Sequence, residues 1–460
     1  MSNINLTDKL NAAKKDAADH HSEYTSMRFI HFVEIICLSS FVWFITVVMM
    51  KAVDYSNDHL FHIFEAKKHV FFYVIFSIAI LRSFLFHTKF FKGMFGDGAT
   101  SAVRFFHNTY NTDRTMGQIK KELKSLPSIS NGLKRVFTTI LTIGAGGSGG
   151  LEGPGIPIGE SIGRGFAKHL KVDSVERFRV FQMCGISAAI ATLLHAPLTG
   201  CIFACELVFA GHFIYQFIIF GMISSMTAFI LSNHVIDSHG LLLIHVSHAQ
   251  VYNLYEYFYI VLASCFVSIP SGIGLLFVLK MIRRLFSHIS TYIHAPLGAM
   301  ICYVAAVYLF QTFNIPVDSI LGVGEEFIQD VYNHTLSSDI NIWYILAIIA
   351  ITKIILTSFT IVSGGSAGML IPSILVGATS TASLYGFLVL YHFIPESESI
   401  YSIFVISGIA SSLICVMDLP IATIIFITET FGRPYLPIAI VSVIISKYLS
   451  GKIKHVMNAI

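Results

Sequence analysis

The alternation of apolar runs and polar breaks along the chain predicts helices throughout. The first 27 residues are polar and read as a short helix carrying Lys9, Lys14 and Lys15. The apolar run from Phe29 to Met50 is long enough to span a bilayer, as is the run from His69 to Phe86 with its flanks. A polar, basic connection follows from Asn108 to Arg135. Several later apolar stretches are too short or too interrupted for a simple crossing, which predicts tilted and half-crossing helices. Lys and Arg gather at the N-terminus and at 114–135, 164–179, 280–284 and 447–454, whereas Phe181 to Leu279 carries neither. Under the positive-inside rule those clusters are cytosolic and the loop from Asn233 to His248 is outside.

One apolar region is broken differently. Residues 146–159 read Gly-Gly-Ser-Gly-Gly-Leu-Glu-Gly-Pro-Gly-Ile-Pro-Ile-Gly, and residues 364–377 read Gly-Gly-Ser-Ala-Gly-Met-Leu-Ile-Pro-Ser-Ile-Leu-Val-Gly; seven of the fourteen positions are identical. In hydrocarbon every peptide group needs a hydrogen bond, so an unwound segment survives only where protein buries it or where it lines a cavity. Two such breaks at matching places point to a midplane binding site between repeats. A helix starting at Leu151 or Glu152, with Pro154 tolerated in its first turn, would aim free N–H groups and partial positive charge at the break, which suits an anion. The carboxylate is not duplicated: Leu370 stands where Glu152 stands. Packing glycines alone would explain neither the duplication nor the prolines.

The repeat continues downstream. Gly185, Ile186, Pro197, Ile202, Phe203 and Glu206 recur as Gly408, Ile409, Pro420, Ile425, Phe426 and Glu429. The offset is 223 residues here (185 to 408) and 218 at the break (146 to 364), so one alignment with a small insertion covers both. The expected organisation is a cytosolic N-terminal helix over 1–27 and one transmembrane domain over 28–460. Within it, repeat 1 spans about 69–232 and repeat 2 about 290–450, and no soluble domain is expected after the last helix.

Composition narrows the class. The 460 residues are 54% hydrophobic and only 12% charged, with mean hydropathy +0.71, which indicates a polytopic membrane protein. A net charge of +3 gives no reason to expect nucleic acid as a partner. The seven cysteines form no Cys-x-x-Cys pair and the twenty histidines no His-Glu-x-x-His, so no metal or cofactor is called for. No cleavable signal peptide is visible.

At these residues the chain resembles the CLC family of chloride channels and chloride/proton antiporters. Gly150-Leu151-Glu152-Gly153-Pro154 looks like the family's Gly-Lys/Arg-Glu-Gly-Pro, and Gly368-Met369-Leu370-Ile371-Pro372 like its Gly-x-Phe-x-Pro. Ala196-Pro197-Leu198-Thr199-Gly200 with Phe203 and Glu206 looks like its following proline-led helix, and Gly96-Asp97-Gly98 falls where the family has Gly-Ser-Gly-Ile-Pro. The resemblance implies an all-α, CLC-type inverted repeat in a bacterial inner membrane with the N-terminus cytosolic. It implies a homodimer with one pore per subunit, embedded in lipid, that transports small inorganic anions, chloride first, and is not an enzyme. Glu152 would be the gate, and amides of Gly150, Leu151, Gly153, Met369, Leu370 and Ile371 would hold the anion.

The departures concern substrate and protons. Asp97 replaces the family's anion-coordinating serine, Leu151 its basic residue and Leu370 its phenylalanine. The antiporters' inner proton acceptor aligns with Leu207, beside Glu206; the coordinating tyrosine near the C-terminus is absent, and His455 or Asn458 falls there. Channel or exchanger, the preferred anion and any proton coupling stay open. Asp97 has two readings, a helix N-cap or an ion-site and proton ligand, and Glu206 shares the candidacy as inner acid. The equivalence of Glu206 and Glu429 also suggests a shared architectural role in hydrogen bonding, and His195 reads as a helix-end partner. A second class, an intramembrane serine protease, is suggested by Gly146-Gly147-Ser148-Gly149, but Ser148 is duplicated as Ser366 and a protease needs one nucleophile.

Overall fold

The computed structural model describes residues 29–91, 129–172, 174–208, 215–235, 254–333 and 343–459, together with positions 94, 96 and 98. The expected N-terminal helix over 1–27, Asp97, and most of the loop expected outside lie beyond the described residues, as do the side chains of His455 and Asn458.

The described elements are helices: α1 Phe29–Ala66, α2 Lys68–Phe86, α3 Ile129–Ile140, α4 Glu152–His169, α5 Val175–Leu194, α6 Pro197–Val208, α7 Tyr215–Val235, α8 Leu254–Phe286, α9 Thr291–Phe313, α10 Val317–Ile320, α11 Glu325–Tyr332, α12 Trp343–Val362, α13 Leu370–Leu390, α14 Glu398–Met417, α15 Pro420–Phe431 and α16 Leu436–Ala459. Ten of them are long and apolar enough to cross a membrane, while α6 and α15 are apolar but shorter. Burial sorts them into centre and rim. The apolar stretch of α5 is 94% buried and that of α14 89%, against 28% for α2 and for α9. The rim helices turn large apolar side chains such as Phe84, Phe266 and Tyr308 outward, as a lipid-facing surface requires.

Each repeat builds its centre in the same way. The α4–α5 pair closes where the carbonyl of Gly185 occupies the space a Cβ on Gly159 would need, and α13–α14 closes identically at Gly377 and Gly408. Small residues let the backbones approach, the usual device for helix contacts in lipid. The next turns also match. His195 ends α5 and Asp418 ends α14, each in the left-handed region (φ 53° and 62°). A proline two residues on starts the following helix, its missing N–H costing nothing at that position.

Those two short helices then cap each other. The Glu206 carboxylate, from α6, accepts from the N–H groups of Ile421 (3.2 Å) and Ala422 (2.8 Å) at the start of α15. The Glu429 carboxylate, from α15, accepts from the N–H groups of Leu198 and Thr199 (both 2.8 Å) and the Thr199 hydroxyl (2.7 Å) at the start of α6. A carboxylate at a helix N-terminus satisfies orphan donors and complements the dipole. Replacing either acid with alanine is therefore expected to cost about 1.5–3 kcal/mol, as for charge-assisted hydrogen bonds. Melting of purified protein in detergent tests this; a single variant that melts like wild type would deny the cap.

Candidate functional site at the crossed glycine breaks

The two glycine-rich segments cross at the centre of the fold, and almost every bond at the crossing occurs twice. Gly146 and Gly364 turn the chain at φ 80° and 83°. Gly150 N–H donates to the Gly368 carbonyl (2.9 Å), and Gly368 N–H to the Gly150 carbonyl (2.7 Å). Ser148 N–H donates to the Thr360 hydroxyl (3.0 Å) and Ser366 N–H to the Thr142 hydroxyl (3.1 Å). The Ser148 hydroxyl meets that of Thr357, and the Ser366 hydroxyl that of Thr139. These bonds supply the partners that an unwound backbone needs inside a membrane. They also give the Ser148 hydroxyl a threonine partner, as the Ser366 hydroxyl has in the other repeat.

From the crossing, α4 starts at Glu152 and α13 at Leu370, and neither start carries a side-chain cap. The N–H groups of such a first turn have no intrahelical acceptor, so two positive helix ends converge. They are in contact: a Cβ on Gly153 would lie 2.5 Å from the Gly368 Cα. Leu151, Glu152, Gly153, Leu370 and Ile371 are all buried, and Met369 is partly so. Gly150 is different from what the sequence suggests. Its N–H is spent on Gly368, which removes it from the donors open to an anion.

Among the described residues, the carboxylate carried by the two crossing segments is that of Glu152, 1% exposed. Its Oε2 folds back against Gly150, in the place a Cβ there would take. Neither oxygen holds a hydrogen bond of ordinary geometry among the described residues, although the N–H groups of Glu152 and Ile371 lie near enough to act on it. Glu206, the other described candidate acid, is on α6 with its oxygens committed to the α15 cap.

Two buried cations brace the region. Arg135 on α3 donates to the carbonyls of Met94 (2.5 Å) and Gly96 (2.9 Å). Lys353 on α12, fully buried, donates to those of Gly322 (3.2 Å) and Val323 (3.3 Å). Positions 135 and 353 are 218 apart, the offset of the glycine breaks. The loops they hold are twins too, because Gly96, Gly98, Gly322 and Gly324 all have positive φ (82°, 71°, 61° and 85°). Extending the repeat upstream at constant offset would have found both cations.

A family model described as voltage gated chloride channel matches residues 98–451. The chain belongs to this family, the CLC proteins. Relatives of this CLC chain include an uncharacterized protein of Methanocaldococcus jannaschii, 25% identical over 301 residues that cover 65% of this chain and 70% of the relative. A chloride/fluoride channel protein of Pseudomonas syringae pv. tomato is 25% identical over 317 residues, 66% of this chain and 63% of the relative. Among solved structures, a slow cyanobacterial chloride/proton antiporter superposes with TM-score 0.73 at 16% identity, over 93% of this chain and 96% of that one. A CLC-type fluoride/proton antiporter superposes with TM-score 0.68 at 18% identity, again over 93% and 96%. The CLC fold and an integral, multi-pass membrane location are thereby established, and CLC proteins are channels or transporters.

Proposed function

We propose that the protein moves small inorganic anions, chloride among them, through one pore in each subunit of a homodimer, with Glu152 as the gate. The observation that carries this reading is the convergence of two uncapped helix N-termini on the buried Glu152 carboxylate, which holds no side-chain hydrogen bond among the described residues. The N–H groups of Leu151, Gly153, Met369, Leu370 and Ile371 form the anion cradle, and the Glu152 carboxylate competes for the same place. Each step follows from charge: the paired helix ends favour a negative group, and that group is either the resident carboxylate or the passing anion.

Proton coupling is expected to be weak. Leu207 offers no proton carrier, and the Glu206 carboxylate is engaged as a helix cap. The test is purified protein in liposomes, with flux of chloride, nitrate and fluoride read with and without a pH gradient. An anion gradient should dissipate while the internal pH hardly changes. No dissipation for any of the three anions would reject the transport reading. Strong uphill proton movement that survives both Asp97→Asn and Glu206→Gln would reject the assignment of inner acids.

A further inference from the structure

Arg82 is a buried cation that the crossing does not use. It lies near the end of α2, is 6% exposed, and sits in a segment apolar enough to span the membrane. Among the described residues, one of its five N–H donors has a partner: an Nη donates to the Ser363 hydroxyl at 3.2 Å. Its Nε is buried and unpartnered among the described residues, and the ionisable neighbour acting on it is the Cys302 thiol. Arg135 and Lys353 are twinned across the repeats and spend their charge on loop carbonyls. Arg82 has no basic twin, because α9, the matching rim helix, has no Lys or Arg along its length. A buried guanidinium facing only neutral groups costs several kcal/mol unless something negative accompanies it, and charged groups inside a membrane mark functional sites.

The same guanidinium lines a cavity. Its other walls include Thr142, Gly146 and Gly147 from the first break, and Ser363, Cys302 and Ala79 from α12's end, α9 and α2. The Thr142 hydroxyl donates to the Thr138 carbonyl, and the Ser363 hydroxyl to the Thr360 carbonyl. Gly146 and Gly147 spend their N–H groups on Ile143 and Thr142. The charged donors of Arg82 therefore dominate what this cavity can offer a guest. The space open to the centre of a water-sized guest is about 20 Å³, where one water needs roughly 10–15 Å³. That space is enough for a small ion beside the guanidinium. None of the wall residues belongs to the cradle at 151–153 and 369–371.

We infer that Arg82 and this cavity form a second anion site, which binds one halide ion behind the first glycine break and outside the Glu152 pore. The ion completes the charge of Arg82 and joins α2 to the segment that leads into α4.

The test counts bound ions. Detergent-purified protein is dialysed to equilibrium against fluoride or radioactive chloride, and ions per chain are compared for wild type, Arg82→Gln and Ala79→Leu. The second variant fills the cavity and leaves the guanidinium in place. Both variants should bind one halide fewer per chain than wild type for at least one of the two halides. Both should keep the Glu152-dependent liposome flux. Equal halide counts in wild type and in either folded variant would overturn the site and reduce Arg82 to a tie onto Ser363. A lost ion accompanied by lost flux in Ala79→Leu would place the ion in the pore itself and overturn its separateness. The pore reading fails on a different result, flux that ignores Glu152, so the two failures are distinguishable.

Discussion

Glu152→Gln is expected to leave a protein that still transports anions but no longer responds to pH. Glutamine keeps the shape of the side chain and stays neutral at every pH. It therefore cannot compete as an anion for the first-turn N–H groups of α4 and α13, nor take up a proton. The wild-type carboxyl changes its ratio of protonated to ionised form about tenfold per pH unit, so wild-type flux can change by as much on the titrating limb, while the variant's flux stays flat. Any proton movement linked to anion flux should vanish with it. Liposome flux measured across a series of pH values reads both effects. Retention of the full pH response in the variant would remove Glu152 from the gate and leave its burial unexplained.

The largest structural effect is expected where the two helix ends touch. A Cβ on Gly153 would meet the Gly368 Cα at 2.5 Å and N at 2.9 Å, and one on Gly368 would meet the Gly153 N at 2.5 Å. All of these are backbone atoms, so no side-chain rotation relieves the clash. Overpacking in a well-packed interior costs about 1–3 kcal/mol. Forcing the segments apart also weakens the paired Gly150–Gly368 bonds, worth about 0.5–1.5 kcal/mol each. Gly153→Ala and Gly368→Ala should each lower the yield of monodisperse protein and its melting temperature in detergent. Gly451→Ala is the control: nothing lies within 4 Å of its added carbon on α16, and alanine is the better helix former by about 1 kcal/mol. Wild-type melting of Gly153→Ala would show that the two N-termini do not meet there.

The crossing was legible in the sequence because its requirements are local. Unwound backbone needs glycine, a helix start tolerates proline, and both signals were duplicated at one offset. The helix start at Glu152 and the half-length helices before Glu206 and Glu429 follow from the same logic. The cations were not legible in that way. One arginine or lysine inside a helix barely disturbs the hydropathy of a twenty-residue run, and what fixes Arg135 and Lys353 is a set of carbonyls far away in sequence. Gly150 shows a different limit. Sequence marks an amide in a glycine-rich break as available, but whether a neighbour takes it depends on how the two breaks meet. The same holds for Arg82, whose meaning comes from a cavity assembled by four separate segments.

The doubled bonds at the crossing form an isologous contact, in which every bond from one side to the other is matched by its reciprocal. Two identical half-length chains inserted in opposite orientations could make the same contact. Such a pair would also have to carry its carboxylate twice or not at all. Two acids beside one site repel, and one of them would stay protonated; with none, nothing would contend with the anion. Covalent fusion of the halves lifts that constraint, because each position can then diverge from its twin. Glu152 opposite Leu370 is such a divergence: a symmetric frame with a carboxylate on one side only.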